Sequence, residues 1–93
     1  MEVVYSEHIK NRLLLRNIDH DLPRQIYELA TDRFVDSDTE HLIATMKAEL
    51  NGKIRDVMVA YVIEDDCAKL LTIHPLKEGQ KEGRIETGRW RKL

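Results

Sequence analysis

Ninety-three residues with a formal charge of -2, 34% charged and 42% hydrophobic, make a single domain (1–93) with one core, and leave a site only at the surface or in a shallow groove. No apolar run approaches the ~20 residues of a membrane span, and Glu2 and Glu7 spoil the basic start of a secretory leader, so a cytoplasmic chain without membrane contact is expected. Cys67 stands alone, which excludes an intramolecular disulfide, and beside Asp65 and Asp66 its thiolate is disfavoured as a nucleophile.

Val3, Val4 and Tyr5 form a short β-prone run suited to a sheet edge. Ser6 is a natural N-cap, and Ile9 with Leu13 places an apolar stripe on a helix over 7–16. His8, Arg12 and Arg16 fall at i, i+4 and i+8 of that helix and line up as a polar, basic stripe. Asp19 or Asp21 can cap a second helix, whose first turn tolerates Pro23 and whose Leu22, Ile26, Leu29 and Ala30 share a face up to about Thr31.

Residues 36–50 admit two readings. Ser37 and Glu40 form a plausible capping box for a helix of good helix formers. Leu42, Ala44, Met46, Ala48 and Leu50 alternate with His41, Ile43, Thr45, Lys47 and Glu49, a strand pattern. Asn51-Gly52 followed by Ile54–Ile63 is a strong hairpin signal and favours the strand. Val57–Ile63 is continuously apolar or aromatic, which fits a strand buried on both faces. After the polar turn Glu64-Asp65-Asp66, Lys69–His74 supplies a third strand, and Pro75 ends it. Residues 77–87 read as a weak helix with an extended end.

The resulting expectation is an α+β fold with a short N-terminal strand, a two-helix hairpin, a three-stranded antiparallel meander and a weak C-terminal helix.

Chemistry-bearing patterns are few. His8, His20, His41 and His74 share no metal-ligand spacing, so neither metal nor cofactor is expected. Asp36-Ser-Asp38-Thr-Glu40 opens like a calcium loop, but His41 and Lys47 stand where its glycine and closing glutamate belong. No nucleophile elbow or glycine-rich phosphate loop occurs. Cationic groups remain. Lys77–Leu93 carries six basic residues against three acidic ones, a local +3 that leaves -5 for the rest. Arg12, Arg16, Arg84, Arg89 and Arg91 are candidates for RNA-phosphate binding, Trp90 for base stacking, and His74, His8 and Arg55 for catalysis. The ordinary role of a charged stripe is a solvated face, and that of a large aromatic is packing.

The string Ser6-x-His8-x-x-x-Arg12-x-x-x-Arg16-x-Ile18, the Pro-bearing helix, the meander, Thr72-Ile73-His74-Pro75 and Gly88-Arg89-Trp90 together resemble a branch of small RelE/ParE-like domains. The resemblance implies a strand, two helices and an antiparallel sheet, which also favours a strand at 40–50. RelE-like toxins cleave messenger RNA on the ribosome without metal, and ParE-like ones act on gyrase. Carried over, the first activity implies a 2'-hydroxyl attacking the adjacent phosphate, stabilised by arginines, with His74 or His8 moving the proton. It also implies RNA or the ribosome as target and an antitoxin protein as partner. No tyrosine follows Tyr61, so Trp90 is the aromatic nearest the C-terminus. The same fold without catalysis would serve as a protein-interaction module or a homodimer joined through a sheet edge.

Overall fold

The apolar run in the middle of the chain becomes the longest strand. The computed structural model describes residues 1–93 and places this run in β4 (Lys53–Glu64). Val57, Val59 and Tyr61 enter one core with Ile9, Leu13, Ile26, Leu70 and Ile73, whereas Met58 and Ala60 enter a second with Phe34, Ile43, Leu76 and Trp90. A strand apolar on both faces requires cover on both.

Local signals account for the elements beside it. β3 (Leu42–Leu50) meets β4 through Asn51 and Gly52 at φ +53° and +81°. This left-handed pair matches the twist of the two strands, and at Gly52 no Cβ resists it. A second two-residue turn, Asp65-Asp66, also has positive φ and leads into β5 (Cys67–Pro75). In α1 (Glu7–Leu15) the Ser6 hydroxyl accepts the Ile9 amide at 3.1 Å, and Ile9 and Leu13 are buried. In α2 (Leu22–Leu29) Pro23 occupies the first turn, where its missing amide costs nothing. The helix stops short of Thr31 because Ala30 is already extended, with ψ 133°.

The expected architecture is overturned by the sheet. Six strands lie in the order β1-β5-β4-β3-β2-β6, in a mixed sheet, with β1 (Glu2–Tyr5) parallel to β5. β2 (Asp32–Asp36) and β6 (Trp90–Lys92) have no counterpart in the three-stranded meander. Nor do α1 and α2 stand as a separate hairpin, since α1 packs on β5 and α2 mainly on β3 and β4. The chain ends in a strand after α3 (Gln80–Glu86).

Charge explains the discrepancy. Asp32 and Asp36 frame β2 with the residues of a polar loop, yet Asp32 is bonded by Lys81 and Lys92, and Asp36 by Arg89 and Trp90. The partners that make this segment a strand lie in the tail, where β6 pairs Trp90 with Asp36 and Lys92 with Phe34.

Candidate functional site

An irregularity in β5 decides which side chains face the open side of the sheet. Ala60 pairs with Thr72 but Tyr61 with Leu70, leaving Leu71 as an extra residue. A bulge of this kind resets the alternation. Leu70 and Ile73 both enter the helix-covered core, while Thr72 and His74 stand beside Ala60 and Met58 on the opposite face.

The outer edge of β5 is paired with β1 only through Leu70. Beyond it, α1 takes over the free carbonyls: Ser6 Oγ donates to Leu71 O at 2.9 Å and Arg12 Nε to Ile73 O at 2.7 Å. The guanidinium then reaches round the edge, and its Nη2 donates to His74 Nδ1 at 2.6 Å. On the far side of the ring, Nε2 lies 3.3 Å from Thr72 Oγ1.

Three arginines and a second histidine bear on this imidazole. Its pKa is lowered from 6.5 chiefly by burial and then by Arg12, His8, Arg16 and Arg84. His8 and Arg12 of the α1 stripe and Arg84 of the tail, far apart in sequence, meet around His74. Burial and the neighbouring Arg16 also lower the Arg12 pKa. None of the ion pairs in the chain involves Arg12, Arg16 or Arg84.

His74 and Thr72 border two adjoining hollows of about 470 Å³ each. One runs toward the tail, with Ile43, Met58 and Ala60 among its apolar lining and Lys77, Gln80, Arg84 and Arg89 among its polar groups. The other runs toward α1 and is lined by Ser6, His8, His41 and Lys69. Volumes of this size suit a small ligand or a nucleotide unit. A further hollow of about 500 Å³ lies between α2 and the β3–β4 hairpin, but Ile18, Leu22, Ile26 and Leu29 dominate it and no cluster of cations enters it.

The other expected site residues divide. Arg89 lines the tail-side hollow but is tied to Asp36 and Asp38. Asp36 is 3% exposed; burial alone would raise its pKa, yet hydrogen bonds from the Asp38 and Thr39 amides, Arg89 and Trp90 bring it below the usual value. Trp90 corrects the base-stacking expectation. It is 1% exposed, stacked on Phe34 at 5.5 Å, and covered by Arg84 at 5.4 Å, so no ring face is left for a base. Two arginines also fall outside the cluster. Alternation puts Arg55 on the helix-covered face with Val57, away from His74, and Arg91 on the side of β6 opposite Trp90.

Thr72, His41, Lys69, Lys77 and Gln80 line the hollows, and none of them is among the site residues expected from the sequence. The i, i+2 spacing of Thr72 and His74 is the signal that could have paired those two. No group of three His, Cys, Asp or Glu side chains is placed to hold a metal ion. No helix is long and apolar enough to cross a membrane. No family model, curated protein or solved structure matches the chain.

Proposed function

We propose that the chain is an RNA-binding, toxin-like domain of the RelE/ParE-like kind, whose His74 hollows take the phosphate backbone. One observation carries the reading: Arg12, a half-buried guanidinium without a carboxylate partner, meets His74 where His8 and Arg84 line the adjoining hollows. Unpaired cations held together are costly unless an anion joins them, and a phosphate is a fitting one. The basic tail, with a local charge of +3, lends Arg84 to the same hollows.

The test is binding of a labelled single-stranded oligoribonucleotide across a salt series. Affinity should fall as salt rises, and Arg84→Gln or Arg16→Gln should each reduce the slope of log K against log salt by about 0.7 per lost phosphate contact. A salt-independent affinity, or slopes unchanged in both variants, would sink the proposal. Cleavage of messenger RNA in the presence of ribosomes separates a toxin-like enzyme from a domain that only binds.

A second reading rests on a different observation. Leu14 and Leu15 are both 83% exposed, Leu29 is 66% exposed, and the sheet ends in open edges at β1 and β6. These features suit a protein partner of the antitoxin kind or a homodimer through a sheet edge. Light scattering of the purified chain, alone and with the product of an adjacent reading frame, tests it, and a monomer in both states counts against it.

A further inference from the structure

The polar groups around His74 have a direction. A guanidinium has N–H groups and no acceptor, so at 2.6 Å from Arg12 Nη2 the His74 Nδ1 must offer its lone pair. The ring's one remaining proton then resides on Nε2, which faces Thr72 Oγ1 at 3.3 Å. That hydroxyl accepts from Nε2–H and has no other partner within the chain. Its own hydrogen is left to point elsewhere.

We infer that Thr72 is the terminal donor of a one-way chain from Arg12 through His74 to the Thr72 hydroxyl, so that this corner of the hollows presents a hydroxyl hydrogen to an oxygen acceptor. The ligand group that fits is a non-bridging phosphate oxygen; this identification rests on the RNA reading above, whereas the direction of the chain does not. Each link polarises the next, and the first is permanently charged, so the final hydroxyl is a stronger donor than a free threonine. Arg12 is thus a positioning residue. It need not touch the ligand, and it holds His74 neutral in a single tautomer. In this arrangement His74 hydrogen-bonds through Nε2 and offers no free lone pair to a substrate proton.

His8, His41 and Lys69 line the α1-side hollow, and Arg84 and Lys77 the tail-side one. None of them hydrogen-bonds the Thr72 hydroxyl, whose one side-chain partner is His74.

The experiment has two parts on the full chain. Long-range nitrogen–proton correlation spectra of the imidazoles should show His74 with a protonated Nε2 and a bare Nδ1 at neutral pH, and exchange between tautomers in Arg12→Met. Oligoribonucleotide binding should weaken about tenfold in Thr72→Val, as for a lost hydrogen bond to a charged group, and stay near wild type in Thr72→Ser. Backbone amide spectra establish that each variant is folded. A His74 protonated on Nδ1, or on both nitrogens, overturns the chain, as does a folded Thr72→Val that binds as tightly as wild type. If wild type itself binds no RNA, the proposed function fails while the imidazole spectrum still decides the direction of the chain.

Discussion

Replacing Asp36 with alanine removes the acceptor on which four donors converge: the amides of Asp38 at 2.9 Å and Thr39 at 3.3 Å, Arg89 Nε at 3.3 Å and Trp90 Nε1 at 3.2 Å. Arg89 contributes little, because its side chain is 38% exposed and water can replace the carboxylate. Trp90 and the two amides matter more. Each buried donor left without a partner costs about 1–3 kcal/mol, and with water reaching the amides of the exposed turn the sum is about 3 kcal/mol. For a domain of this size that lowers Tm by roughly 12 °C or more. Asp36→Asn keeps one acceptor oxygen and should lose about half as much. Urea and thermal unfolding followed by circular dichroism measure the loss, and fluorescence of Trp90, the single tryptophan, reports whether β6 loosens first. A loss below about 1 kcal/mol in Asp36→Ala with an unchanged urea slope would refute the view that this carboxylate ties the tail to the sheet.

Thr45 is 2% exposed and its hydroxyl is the one buried side-chain polar atom without a hydrogen-bond partner. Thr45→Val keeps the shape and removes the unmet group, so urea unfolding should show a gain of roughly 1 kcal/mol, and a loss would mean that the hydroxyl is satisfied. At Asp32, hydrogen bonds from Lys81 and then Lys92 lower the pKa from 3.8 to about 2. A depressed carboxylate stabilises the fold above its unfolded pKa, so this contribution should be complete above 3.8 and disappear as pH falls toward about 2. Urea midpoints across that window should fall less steeply in Asp32→Asn than in wild type, and parallel curves would show that the lysine contacts do not persist in solution.

What was legible in the chain is what neighbours decide. The Asn51-Gly52 turn, the alternation from Leu42 to Leu50 and the Ser6 cap act within a few residues, and each appears where its chemistry places it. The basic stripe of α1 was likewise visible, because helical spacing alone aligns His8, Arg12 and Arg16. Trp90 shows the opposite case. Arginines on both sides give it the look of a surface stacking residue, but Phe34 and Asp36, more than fifty positions earlier, draw it inside.

By itself the sequence determined the two covered faces of β4, the helices that cover one of them, and which cations exist. Only the tertiary structure decided that Asp32–Asp36 and Trp90–Lys92 are strands, since Asp32, Asp36 and Lys92 find their partners across the chain. It also decided which cations act together. Leu71 bulges from the β4–β5 ladder, and that one extra residue turns Thr72 and His74 away from the core, within reach of Arg12 and on the hollow bordered by Arg84. A bulge is set by how two strands fit once the cores on both faces are packed, and no local pattern in Leu70–Pro75 specifies it.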